Sequence, residues 1–373
     1  MKRRIISILA VCCMMVAMMP AAFATGGNDL QAQIDNTAAG GTVTLTGNVT
    51  ISTPLTINKA ITLDGNGNTL TYDQSGEAIK ITTNDNVVIE DMILNAEASN
   101  GQGISLYSSS PKVEVNGVTM NVDARGISFK QDGYATNAHL ALDNTKIYNS
   151  RITDGDYEHK TVIGDTRGIS LFDMKSSVID INNSEIYGFG YTINLAGTLV
   201  DGIRDYDGTT VNVTDSKLMG WTAFNVWSSD TTFNITNSYL KGINNSNGPT
   251  DGFATIVVND DIYGYGWGST KANMFYITGG TITNYRSGSA SEQLFRVDDE
   301  GITEVTFSEL EVDEWTTEKV TIIDGTGDSN SVFYSGYLMT PDGWINYMTQ
   351  RVHGEGSCEV TGYNGQTLPF IPA

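Results

Sequence analysis

An eight-residue pattern recurs along this chain and limits what it can fold into more tightly than any other feature. Each copy is apolar at its first, third and eighth positions, polar at the second in most copies, and usually Asn, Asp or Gly at the fifth. Nine copies align without gaps, beginning at Ile61, Val87, Val113, Leu140, Ile179, Val211, Phe233, Phe275 and Val305. Val88 and Ala141 break the polar rule at position two, and Asn68 alone departs at position eight. The mean spacing is about 30 residues, a period that marks repeat architectures.

Apolar and polar residues alternate with period two in these units, so each is a half-buried strand. The fifth position holds a turn former in Asp91, Gly117, Asn144, Asn183, Asp215 and Asn237. A further strand follows in most repeats, as in Ile79-Lys80-Ile81, Ile104-Ser105-Leu106, Ile127-Ser128-Phe129, Ile169-Ser170-Leu171 and Ile193-Asn194-Leu195. Two or three short strands per period, with no helix between them, predict an all-β, single-domain solenoid, a parallel β-helix. Propeller blades need roughly 40 residues and four strands, whereas successive copies at Val87 and Val113, or Val211 and Phe233, lie only 26 and 22 residues apart. Asn28 to Asp35 reads as one short helix, with Asn28 and Gln31 at capping-box spacing and Leu30 and Ile34 on one face. An open solenoid end exposes core and unpaired strand edges, so this helix is the expected cap.

Composition agrees. Forty glycines against seven prolines suit many tight turns. A net charge of −22, with only 17% charged residues, argues against phosphate backbones and anionic lipids as partners. Lys2, Arg3 and Arg4, the apolar run Ile5 to Met19 and Ala22-Phe23-Ala24 read as a secretory signal peptide. The run is shorter than the roughly 20 residues of a spanning helix. Cleavage after Ala24 removes three basic residues and no acid, moving the charge to −25, and leaves Cys358 as the one cysteine. The expected product is secreted or non-covalently held at a cell surface, with no intrachain disulfide and no transmembrane segment. The expected boundaries are 1–24 signal, 25–42 cap and entry, 43–312 β-helix, and 313–373 further coils or a C-terminal cap.

The stretch Asp29-Leu30-Gln31 through Gly40-Gly41-Thr42-Val43-Thr44-Leu45, followed by Ile57-Asn58-Lys59-Ala60-Ile61-Thr62-Leu63-Asp64-Gly65-Asn66-Gly67, resembles the entry into right-handed parallel β-helix proteins of the pectin-lyase-like superfamily. The Gly-Ile-Ser strands continue the resemblance to about residue 312. It implies a right-handed coil, and it leaves activity open, since that superfamily holds lyases, hydrolases, esterases, phage tailspikes and non-enzymatic adhesins. The paired aspartates and the Gly-His-Gly and Arg-Ile-Lys strings of its glycoside hydrolases are not assembled here. Asp260-Asp261 is a lone pair, and His353-Gly354 lacks the first glycine. His139, His159 and His353 are the whole histidine complement, and each is expected to be solvated or locally hydrogen-bonded.

One constellation repeats. Asp123-Ala124-Arg125-Gly126-Ile127-Ser128 and Asp165-Thr166-Arg167-Gly168-Ile169-Ser170 carry Asp-x-Arg-Gly-Ile-Ser in consecutive repeats. Stacked coils lie about 4.8 Å apart, which would set Arg125 against Arg167 and Asp123 against Asp165, with Gln102 heading the column. Two guanidiniums in register suit a uronate carboxylate. The plainer expectation is that each Asp neutralises its own or the neighbouring Arg. In the insertion from Ala196 to Thr210, Asp201, Asp205 and Asp207 offer oxygen ligands for Ca²⁺, though no other cofactor is called for and these are also ordinary turn formers. Tyr191, Trp227 and Trp267 are the aromatics best placed to lie flat on sugar rings. The leading expectation is a secreted, non-catalytic glycan-binding or adhesin-like protein whose partner is an extracellular polysaccharide or cell-surface glycan. The alternatives are a lyase acting on a uronate-containing polysaccharide, with Arg125 or Arg167 in its catalytic site, and a structural matrix or spacer protein.

Overall fold

A computed structural model describes residues 22–24, 27–196, 205–244, 255–259, 273–278, 280–286, 293–298, 302–311, 320–324, 331–340, 343–352, 358–361 and 367–371. The chain coils into a parallel β-helix in which each turn contributes to three stacks of strands. The first stack runs through Gly41–Leu45, Ile61–Asp64, Asn86–Glu90, Lys112–Asn116, His139–Asp143 and Val178–Asn182. The second runs through Val49–Ile51, Thr69–Tyr72, Ile93–Ala96, Thr119–Val122 and Lys146–Asn149. The third runs through Leu55–Ile57, Gly76–Ile81, Gly101–Leu106, Arg125–Phe129 and Val162–Phe172. In the coils that follow, the second and third stacks are joined in Glu185–Ala196 and Lys217–Val226.

Each eight-residue unit is a first-stack strand, a one-residue corner and the start of a second-stack strand. The corner falls on position five, where Asp91, Asn144, Asn183, Asp215 and Asn237 have φ between 47° and 50° and Gly117 has φ 62°. Asn and Asp tolerate this left-handed conformation better than other non-glycine residues because their short side chains bond locally. The first and third positions point inward. From Ile61 and Leu63 to Phe275 and Ile277 these side chains are at most 2% exposed and form one continuous core.

Position six becomes a polar ladder inside the corner in the middle coils. Thr145 N donates to Ser184 Oγ, Ser184 N to Ser216 Oγ and Ser216 N to Ser238 Oγ, at 3.0 to 3.2 Å. These hydroxyls satisfy backbone N–H groups that the corner turns away from the strand ladder.

The expected helix spans Gly27–Asn36, with Leu30 and Ile34 fully buried against the first coil. Gln31 reaches across to the first coil. Its side chain accepts from Thr56 N at 2.7 Å and donates to Thr56 O at 3.1 Å. The amide thereby stands in for a neighbouring strand on the edge Leu55–Ile57, which a cap has to cover. Ala22–Ala24 pairs in parallel with Val43–Leu45. At the other end, Ser331–Thr340 adds in parallel to Ile302–Glu311 and pairs antiparallel with Gly343–Val352.

The insertion that follows Lys146–Asn149 folds onto the outside of the second stack. Tyr157 lies 5.2 Å from Tyr148 and 5.7 Å from Tyr187, ring centre to ring centre. Glu158 is paired with Lys241 at 2.8 Å. Among the described residues, no helix is long and apolar enough to cross a membrane.

Candidate functional site

The outer face of the third stack carries three rows of side chains, each row climbing one coil per step. The first row is Glu77, Gln102, Arg125, Arg167, Tyr191 and Thr222. The second row is Lys80, Ser105, Ser128, Ser170, Asn194 and Asn225. The third row follows directly after the strands' last core residues: Tyr107, Lys130, Phe172, Ala196 and Trp227. The glycine after each arginine is fixed by crowding at the corner. A Cβ on Gly126 would meet Gly168 O at 2.5 Å and Ile147 Cγ2 at 2.6 Å. This tight corner holds the arginines at a constant position relative to the core.

Arg125 and Arg167 are register partners and are bridged by one carboxylate. Arg125 Nη2 donates to Asp165 Oδ2 at 2.6 Å, and Arg167 Nη1 lies 2.5 Å from Asp165 Oδ1. The strand is irregular between Val162 and Arg167, and Gly164 has φ 117°, so Asp165 leaves the regular ladder and reaches both guanidiniums. Burial and the neighbouring Arg125 charge pull the Arg167 pKa down.

Asp123 departs from the expected column. It is 7% exposed, accepts from Arg151 Nε at 2.7 Å and Arg151 Nη2 at 2.5 Å, and takes Asn100 N at 2.7 Å. Arg151 comes from the insertion, so Asp123 anchors that loop and does not neutralise Arg125. The bidentate Arg151 contact holds its carboxyl below the usual range.

A second charged group lies beside the arginines, and the repeat pattern alone does not single it out. Glu77 accepts from Tyr107 Oη at 2.6 Å and lies 3.2 Å from Lys80 and 3.4 Å from Lys130. Lys130 crosses from the third row to the first to donate to Gln102 Oε1 at 2.8 Å. Burial opposes ionisation of Glu77, but the Tyr107 hydroxyl and the two lysines prevail and bring its pKa to about 2. Burial, then Glu77, pushes Tyr107 up to about 12. Lys130 is lowered by burial, with Arg125 and Lys80 adding to the effect. The signal for these residues was positional: Lys130 directly follows Ile127-Ser128-Phe129, where the outward row must continue.

Further along, the same face becomes aromatic and amidic. Arg167 Cζ lies 6.0 Å from the Tyr191 ring centre, and Tyr191 lies 6.1 Å from Trp221. Asn225 Nδ2 donates to Asn194 Oδ1 at 2.7 Å, and Trp227 Nε1 donates to Asn225 Oδ1 at 3.1 Å. Tyr191 and Trp227 therefore flank the amide row from either side, each half-buried. Four buried polar atoms on this face have no hydrogen-bond partner among the described residues: Ser105 Oγ, Ser128 Oγ, Arg167 Nε and Asn194 Nδ2. Buried polar groups are nearly always satisfied, and these four are exceptions on one face, with Gln33 Oε1 on the cap helix an exception elsewhere.

Other expected site residues fall elsewhere. Trp267 and Asp201 lie outside the described residues, as do the side chains of Asp205 and Asp207. No group of three or more His, Cys, Asp or Glu suited to a metal ion occurs among the described residues. His139 is paired with Asp180 and His159 with Asp156, each at 2.8 Å. A pocket lined by Gln31 and residues 50–55 sits under the cap and contains no titratable side chain.

No family model matches the chain, and no curated protein matches it. A solved structure, Geobacillus virus E2 - ORF18, superposes with a TM-score of 0.51 at 11% identity, over 90% of this chain and 62% of that one. The likeness is one of fold. The chain spans less than two thirds of that protein's length.

Proposed function

We propose that this protein binds an extended polysaccharide laid across successive coils on the outer face of the third stack, and that it does so without cleaving it. The observation that carries the reading is the placement of Tyr191 and Trp227 on either side of the Asn194 and Asn225 amides. Aromatic faces stack on sugar rings, and the buried amide pair fixes the Trp227 ring through its Nε1–H. Rows that repeat about every 4.8 Å offer successive sugars similar contacts. Each arginine and lysine in the neighbouring cluster is engaged by a carboxylate or by Gln102, which favours binding over proton abstraction. The signal-like N-terminus and the resemblance to pectin-lyase-like β-helices fit a secreted or surface-held, adhesin-like role.

Retention of the purified chain on a panel of immobilised polysaccharides tests this. Trp227→Ala and Tyr191→Ala are each expected to weaken the retained case by about 1 kcal/mol, roughly a fivefold rise in Kd. Absence of retention on every polymer, or variants that bind like the parent, would overturn the proposal. A second reading, uronate lyase activity, is favoured by the two guanidiniums converging on one carboxylate. It requires new ultraviolet absorbance from unsaturated uronates on incubation with pectin or alginate, and a flat trace with and without Ca²⁺ removes it.

A further inference from the structure

The cluster at the Glu77 end of this face holds Lys80, Lys130, Arg125 and Arg167 against Glu77 and Asp165, a local cationic excess in a chain of net charge −22. Such an excess is costly unless an anion shares it. The two carboxylates differ in how they are held. Glu77 is mostly buried and gripped by Tyr107, Lys80 and Lys130, so it belongs to the frame. Asp165 is 68% exposed and meets two guanidiniums among the described residues, each through one oxygen. It stands on an irregular stretch of strand beside Gly164. On the same face, Arg167 Nε and Ser128 Oγ are buried without a partner, so Asp165 does not satisfy every polar atom near it.

We propose that Arg125 and Arg167 form an oxyanion subsite for a carboxylate or sulfate ester carried by a polysaccharide, and that Asp165 is a built-in, displaceable occupant that keeps the subsite closed. This rests on the polysaccharide reading above, for which it names a charged subsite and its control. An incoming anion exchanges places with Asp165, whose carboxylate turns outward into water. The cost is small because Asp165 is already largely solvated. The gain comes from geometry, since a mobile anion can engage a guanidinium through two parallel N–H groups where Asp165 offers each one oxygen. Selectivity follows: a weakly bound or wrongly spaced anion does not outcompete a carboxylate tethered in place, because the tether gives Asp165 a high effective concentration.

The test uses the full chain and two small probes, D-glucuronate and inorganic sulfate, titrated while the arginine Nε–H resonances of Arg125 and Arg167 are followed by NMR. If Asp165 occupies the pair roughly nine-tenths of the time, Asp165→Asn raises the apparent affinity about tenfold. Asp154→Asn removes the same charge from the insertion outside the subsite, and it is expected to leave the affinity unchanged. Arg125→Gln in the Asp165→Asn background is expected to abolish the saturable shift. Preference for glucuronate over sulfate, or the reverse, identifies which substituent the subsite takes. Equal affinity in the parent and Asp165→Asn, or equal gains from Asp165→Asn and Asp154→Asn, would overturn the proposal. Because the probes are monomeric anions, the outcome is independent of polymer retention: retention with no Asp165 effect sinks this inference alone, and an Asp165 effect without retention sinks the polysaccharide reading alone.

Discussion

At the scale of single residues, the corner at position five joins sequence to backbone most directly. Asn144 has φ 50°, and its Cβ makes the conformation costly for most residues. Asn144→Ala is expected to lower stability by about 1 kcal/mol, and Asn144→Gly to be close to neutral; equilibrium unfolding of the two variants checks the difference. This corner was legible in the sequence because the same residue types recur in phase with an apolar pattern. The partner of Asp123 was not. Arg151 lies on an insertion that belongs to no repeat, and nothing in a local pattern announces a contact made by a loop folding back. Arg125 and Arg167 could be aligned in advance for the opposite reason, since both sit at the same distance from core residues, Ile127 and Ile169, that register must keep in line.

At the scale of the element, stacking of like residues turns small contacts into a column. Phe233 and Phe275 lie 4.3 Å apart and nearly parallel, and Phe224 meets Phe233 edge-on at 5.5 Å. Phe233→Ala empties the middle of this column and is expected to cost about 3–5 kcal/mol, seen as a shift of the denaturation midpoint. Phe233 and Phe275 were recognisable as core from the eight-residue unit, whereas their stacking required the register. The Glu77 group has a pH signature. Its folded pKa, about 2, lies below the ordinary 4.5, so the stabilisation it brings is present above about pH 4.5 and is lost as pH falls toward 2. Glu77→Gln is therefore expected to flatten stability against pH across that window. A parent and variant with the same slope there would remove the charge-held frame. Lys130 and Tyr107 were hidden at this scale, because they stand one position beyond the strand motif and are joined to Glu77 only when coils are stacked.

At the scale of the molecule, the three stacks divide the labour. The first builds the continuous core with its corners, the second takes the insertion through Tyr157 and Glu158, and the third is left with an outer face of cations, serines, amides and aromatic rings. The net acidity of the chain makes this group of Lys and Arg more informative, since it offers a polyanion a local attraction against the field of the whole molecule. The central claim, that ligand lies on the third-stack face, is tested most directly by oxidative footprinting of exposed side chains with and without a polysaccharide that the chain retains. Tyr107, Phe172, Tyr191 and Trp227 are expected to lose reactivity on binding, while Tyr276 on the first stack, 41% exposed, keeps its own. Protection of Tyr276 with the four third-stack residues unchanged would contradict the claim.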